Sequence, residues 1–355
     1  MKRGFSYFLI AIFLLSSLCA CADNSGVKRE SGAAKDGKIQ IITTIFPEYD
    51  WVRNIVGDSQ NVEITMLLDN GVDLHSYQPN VNDVMKISNC DLFIYVGGES
   101  DEWVDDVLRQ ATNDKMKVID LLEVLGDAVK TEEVVEGMEH DHDHGNEEHE
   151  GEDQDHEDGE DQGHDDHDHE GGHSHGEELD EHVWLSLKNA SALCGVIADA
   201  LCELDAANKE VYKTNLENYR KELNALDLEY ADAVKGAKYK TLLFGDRFPF
   251  RYLTDDYGLT YYAAFSGCSA ESEASFETVT FLAGKMDELG LPAIMTIEGK
   301  NHKIAEAIRN ATGAKDQEIL TLDSLQSTTS KDVADGASYL KSMKANLEIL
   351  KQALK

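Results

Sequence analysis

Short β-branched apolar runs alternate with helix-period segments in two series along this chain, and a long stretch free of Gly and Pro lies between them. In the first series 38–46 (KIQIITTIF), 61–68, 91–96 (DLFIYV) and 117–120 read as strands, with helical spacing over 50–56, 82–87 and 101–111. In the second, strands are expected at 240–244, 259–265, 293–297 and 318–322, and helices at 252–257, 276–289, 302–311 and 337–354. Strands alternating with helices form parallel sheets, because parallel neighbours need a crossover between them. Between the series, 185–204 and 208–234 read as helices. At 1.5 Å per residue the second is roughly 40 Å long, enough to reach from one folded unit to another. The expected fold class is α/β: two α/β lobes with parallel sheets, joined by a single long rigid helix. The N-terminal lobe is expected over 38–206, the linking helix over 207–236 and the C-terminal lobe over 237–355.

The alternation breaks over 131–180. This segment holds 23 of the 69 acidic residues and no Lys or Arg, and it is almost entirely Glu, Asp, His and Gly. Such a composition cannot bury a core, so it reads as a disordered or ligand-ordered insert rather than a domain. Without it the net charge falls from −37 to −14. Phosphate binding needs clustered Lys and Arg, so nucleic acid is excluded as a partner and a cationic ligand fits better.

The first residues read as an export signal. Lys2 and Arg3 precede an apolar run from about Phe5 to Leu18, short for a membrane span. The run ends Leu18-Cys19-Ala20-Cys21, which resembles a bacterial lipobox. Cys21 follows a small residue and is the expected lipidation site, with a signal peptide over 1–21 and a tether over 22–37. The other four cysteines, Cys90, Cys194, Cys202 and Cys268, form no CxxC pair. A thiolate zinc site is weakly supported by that spacing, and disulfides and buried free thiols both remain open.

Ten of the thirteen histidines fall in the insert, between His140 and His175; the others are His75, His182 and His302. Imidazoles and carboxylates at this density bind zinc, copper or nickel. His169-Glu170-Gly171-Gly172-His173 matches HExxH in letters, but its glycines and like charges oppose the helix that motif requires. His75 sits in Gly71-Val72-Asp73-Leu74-His75-Ser76-Tyr77-Gln78-Pro79, after the second strand, where parallel α/β sheets place ligands. His182 sits in Asp180-Glu181-His182-Val183-Trp184, where the insert meets a helix.

His75-Ser76-Tyr77-Gln78-Pro79 and Asp180-Glu181-His182-Val183-Trp184 closely resemble two motifs of the zinc/manganese-type solute-binding lipoproteins of ABC importers. A His-rich acidic insert just before the second motif resembles the zinc-specific members. Tyr252-Leu253 with Tyr257-Gly258-Leu259 resembles the segment after that family's third ligand. The likeness covers about residues 38–355. It implies two lobes on one long helix with the metal in the cleft between them, and His75 and His182 as ligands from the N-terminal lobe.

The C-terminal lobe departs from that pattern. The family's third ligand is a His or Glu just before Tyr252, and here Gly245 or Arg247 takes its place, with Asp246 the nearest candidate ligand. Arg247 stays protonated and cannot ligate. A fourth, carboxylate ligand matches Glu298 in one alignment and Asp323 in another, and His302 is a further candidate. The resemblance implies a non-enzymatic, monomeric binding protein. It captures Zn²⁺ (Mn²⁺ being the alternative ion) at the outer face of the cytoplasmic membrane and passes it to a membrane permease and ATPase of an ABC importer. A metal-buffering or adhesive surface lipoprotein is the competing reading. A zinc hydrolase needs an open metal position and a general base, and the sequence offers no such set.

Overall fold

A computed structural model describes residues 37–139, 178–269, 273–299 and 301–355. The export signal, Cys21 and all ten insert histidines lie outside the described residues.

The first lobe is a four-stranded sheet of β1 (Ile39–Thr43), β2 (Val62–Met66), β3 (Leu92–Tyr95) and β4 (Lys117–Asp120). Every pairing is parallel, in the order β2-β1-β3-β4. Its crossovers carry α1 (Phe46–Val56), α2 (Val81–Asn89) and α3 (Trp103–Leu108), and α4 (Leu121–Leu125) follows β4. The strand expected over 38–46 stops at Thr43, because the chain turns into α1 with Pro47 in the first helical turn, where a missing N–H costs nothing. Glu48 accepts from the Thr44 and Ile45 amides (2.8 and 3.3 Å) and fixes that turn.

Two long helices follow, α5 (Leu187–Leu204) and α6 (Lys209–Lys235). The buried residues of α6, Tyr212, Tyr219, Leu223, Leu226, Tyr230 and Val234, recur at helical spacing and form one apolar stripe. Its first half is tied to the N-terminal lobe: Asn215 Nδ2 donates to Ile55 O (3.0 Å) and Arg220 Nε to Ser191 O (2.9 Å).

The second lobe repeats the first. β5 (Thr241–Arg247), β6 (Thr260–Phe265), β7 (Ala293–Ile297) and β8 (Glu318–Leu322) form a parallel sheet in the order β6-β5-β7-β8. Helices α7 (Arg251–Tyr257), α8 (Phe276–Leu289), α9 (Lys303–Ala311), α10 (Ser330–Ala334) and α11 (Tyr339–Ala353) complete it. The second half of α6 belongs here, since Tyr230 Oη donates to Met343 O on α11 (2.6 Å). The register of β5 shifts between Phe244 and Arg247, a bulge that re-aims the strand's last residues at the cleft.

The lobes also meet directly. Tyr339 N donates to Asp50 Oδ2 (2.9 Å), Tyr339 Oη to Trp184 O (2.6 Å), and Trp184 Nε1 to Ser324 O (2.9 Å). Trp51 and Tyr339 rings pack edge-on at 5.4 Å, and one apolar core runs through both lobes.

Residues flanking the insert are built into the fold more deeply than an unstructured 131–180 implies. Thr131 and Leu179 form an antiparallel bridge, and Asp180 N donates to Lys130 O (2.8 Å). The stem then crosses to the other lobe, where Lys130 N donates to Tyr252 Oη (3.0 Å) and Glu139 N to Ala264 O (2.9 Å). The described cysteines are all free thiols, which resolves the disulfide alternative. No described helix is long and apolar enough to cross a membrane.

Candidate metal centre

His75 lies in a one-turn 3₁₀ segment, Leu74–Ser76, that leaves the end of β2. Leu74 is fully buried and anchors the turn, and Asp73 Oδ1 caps it by accepting from His75 N (3.0 Å). The ring's Nδ1 lies 2.7 Å from Ser100 Oγ and 3.4 Å from Glu181 Oε2. Ser100 belongs to the turn after β3, and its amide donates to Glu181 Oε1 (2.9 Å). Gly98 makes this approach feasible: its φ is +81°, and a Cβ there would stand 2.4 Å from Glu181 Oε1.

His182 is wholly buried. Asp180 Oδ1 accepts from its amide (2.9 Å) and lies 3.1 Å from its Nδ1. Both imidazoles thus turn Nδ1 toward carboxylates, which favours the Nδ1–H tautomer and leaves each Nε2 with a lone pair. The two Nε2 atoms face each other at 3.3 Å. Two lone pairs that close repel unless a proton or a cation sits between them.

The surroundings favour the cation. Asp73, Asp180, Glu181 and Asp101 all lie in this corner of the N-terminal lobe. Burial first, then the Glu181 charge among others, pushes Asp101 up to about 7 against the pull of its Gly97 and Val96 amide bonds. Burial also works to raise Glu181, but hydrogen bonds from His75 and Ser100 outweigh it and hold that carboxyl low.

From the C-terminal lobe, the turn after β6 presses against the His182 ring. A Cβ on Gly267 would meet Phe248 O at 2.9 Å and His182 Cε1 at 3.1 Å, so only glycine allows the approach. The next residue, Cys268, donates its amide to Glu132 Oε1 (2.8 Å). One ring nitrogen each of His75 and His182 and the Cys268 Sγ all lie within 4.8 Å of one another. Among the described residues no other group of three His, Cys, Asp or Glu ligand atoms gathers this way. The residue patterns gave Cys268 no such role; the one available signal was its place just past the C-terminal end of a strand.

The three carboxylates expected as ligands accept hydrogen bonds within their own lobe. Asp246 accepts from its neighbour Arg247 N (3.0 Å) and from Ile297 N (3.3 Å), and burial raises its carboxyl. Glu298 accepts from Ser324 N (2.7 Å) and Ser324 Oγ (2.5 Å). Asp323 Oδ1 accepts from Leu325 N (2.9 Å), which holds a turn with Leu325 at φ +64°. Asp246 lines the cleft with His75 and Arg247. His302 caps the start of α9, with its Nδ1 buried and unpartnered.

Arg247 reaches across the cleft to pair with Asp73, the residue that caps the His75 turn. Burial raises the Asp73 carboxyl, but the Arg247 hydrogen bond and charge win and hold it below the ordinary range. A depressed carboxyl stabilises the fold above its unfolded value near 3.8, and that contribution is lost as pH falls through the lower folded value. Arg247→Ala is therefore expected to cost about 1–3 kcal/mol near neutral pH and progressively less below about pH 4. Urea unfolding at a series of pH values measures this; a pH-independent difference would contradict it.

Two parallel α/β lobes on one long helix, with two imidazoles in the crease between them, are the architecture of a solute-binding protein. The chain belongs to the family described as ZnuA, zinc-uptake complex component A, periplasmic, whose profile matches residues 41–353. It is 32% identical over 343 residues to the zinc-binding lipoprotein AdcA of Streptococcus pneumoniae, covering 96% of this chain and 60% of that protein. The chain thus spans about three-fifths of the length of that relative. It is 29% identical over 355 residues to the high-affinity zinc uptake system protein ZnuA of Bacillus subtilis, covering 99% and 98% of the two chains. The crystal structure of the Zn(II)-bound ZnuA-like domain of S. pneumoniae AdcA superposes with a TM-score of 0.64 at 26% identity, over 90% of this chain and 99% of that one.

Proposed function

We propose that this protein captures zinc outside the cytoplasmic membrane, through His75 and His182, and hands it to the permease and ATPase of an ABC importer. The observation that carries the reading is the 3.3 Å separation of the two Nε2 atoms. Two nitrogens each 2.0–2.1 Å from one tetrahedral zinc stand about 3.3–3.4 Å apart. The imidazoles therefore need almost no movement to share the ion, and Asp180, Glu181 and Ser100 hold them in place. Nitrogen donors favour zinc over manganese, which prefers oxygen. The role is binding rather than catalysis, and the protein acts as a monomer held at the membrane by a lipid on Cys21.

The described chain resumes just ahead of this centre, with Leu179 and Asp180 directly preceding Glu181-His182, and the ten insert histidines precede that point in sequence. That placement suits a segment that collects ions loosely and raises their concentration at the cleft. Competition titration against a zinc chelator tests both parts. The full chain is expected to take up several ions, one of them tightly. A chain lacking 140–177 is expected to keep the tight ion and lose the weaker ones. If the shortened chain retains no zinc, the cleft is not the capture site and the reading falls.

A further inference from the structure

The C-terminal lobe presents three carboxylates and an imidazole near the cleft, yet none joins the His75–His182 pair. Asp246, Glu298 and Asp323 each satisfy backbone amides of their own lobe. Gly245 or Arg247 stands where the family resemblance places an imidazole, and Arg247 is engaged by Asp73. The side chain the fold does deliver to the pair is a thiol.

We propose that Cys268 is the zinc ligand contributed by the C-terminal lobe, so that the ion is bound as a His₂Cys thiolate centre. The proposal rests on the capture reading above and specifies its donor set. Three observations on the page carry it. The Sγ lies within 4.8 Å of a ring nitrogen on each histidine, while a tetrahedral zinc sets sulfur and nitrogen about 3.6 Å apart. At most about 1.2 Å of side-chain adjustment closes that difference. The backbone is fitted for the approach, because Gly267 brings the turn close to the His182 ring, where a Cβ would stand 2.9 Å from Phe248 O and 3.1 Å from His182 Cε1. The amide of Cys268 is pinned by Glu132, in the stem that crosses from the insert, which fixes the turn relative to both lobes. Cys90, Cys194 and Cys202, by contrast, are buried in the core of the N-terminal lobe away from this cleft.

Binding exchanges the Sγ–H bond for an Sγ–Zn bond and releases one proton to solvent. A soft thiolate also sharpens selection, since sulfur ligands favour zinc strongly over manganese. Ligation by residues of both lobes makes the ion a bridge between them.

Zinc-edge X-ray absorption on the full chain loaded with one equivalent of zinc tests the assignment. The expected result is one sulfur neighbour at about 2.3 Å beside nitrogen or oxygen at about 2.0–2.2 Å. In Cys268→Ser the sulfur shell disappears. Zinc affinity falls by more than about 100-fold, since loss of a supporting outer-shell partner alone costs 10–100-fold. The cobalt-loaded protein is expected to show a thiolate-to-metal charge-transfer band that the same variant lacks. Tightly held zinc with only nitrogen and oxygen neighbours overturns the thiolate and leaves capture standing. A sulfur shell that persists in Cys268→Ser overturns it as well. Absence of any tightly held zinc in the unaltered chain overturns capture itself. If Cys268→Ser fails to fold, the spectrum of the unaltered chain still decides between sulfur and oxygen.

Discussion

His182→Ala is expected to lower zinc affinity by more than about 100-fold, because outer-shell losses alone cost 10–100-fold and this change removes a direct ligand. The ring is fully buried and its Nε2 lies 3.3 Å from that of His75. His75→Ala is expected to act in the same direction. Asp180→Asn makes the graded control. It keeps the size of the residue and its bond from the His182 amide, but removes the charge facing Nδ1, and about 10–100-fold is expected. Chelator-competition titration orders the three variants. Equal affinity in His182→Ala and the unaltered chain would place zinc elsewhere.

Trp184→Ala is expected to cost about 3–5 kcal/mol of stability, a drop of about 4–7 °C in Tm for a chain this size. Trp184 is fully buried two residues from His182, and its indole N–H makes one of the direct bonds between the lobes, to Ser324 O. Truncation leaves a large cavity and an unsatisfied carbonyl. Trp184→Phe keeps most of the volume and loses the bond, so about 1–2 kcal/mol is expected. Thermal and urea unfolding without metal separate the two losses. A change under 1 kcal/mol for Trp184→Ala would mean that the lobes are not joined through this residue.

The same Trp184 shows why much of the fold was legible in advance. It belongs to the Asp180–Trp184 motif, and the strands around it are β-branched runs whose period stands out against the helices between them. β4, β7 and β8 fall at the residues the pattern marks, and α6 falls within a residue at each end. Where the pattern fails, the reasons are local. The five-residue helices Leu121–Leu125 and Ser330–Ala334 are too short to show a period. The start of α1 hides in an apolar run that continues from β1.

In the proposed centre, His75 and His182 are conspicuous in sequence because each stands in a motif. Cys268 is not: it lies 86 residues past His182 in sequence, and only the stacking of one lobe on the other brings it near. Glu298 and Asp323 pose the opposite difficulty. A carboxylate just past a strand has the same sequence appearance whether it binds an ion or holds a turn, and the Ser324 and Leu325 amides claim both here.

The most direct measurement is the anomalous diffraction of crystals grown with one equivalent of zinc, recorded on both sides of the zinc edge. The account predicts the strongest difference peak at about 2.0–2.1 Å from Nε2 of both His75 and His182. A strongest peak away from both rings, with the space between them empty, would contradict it.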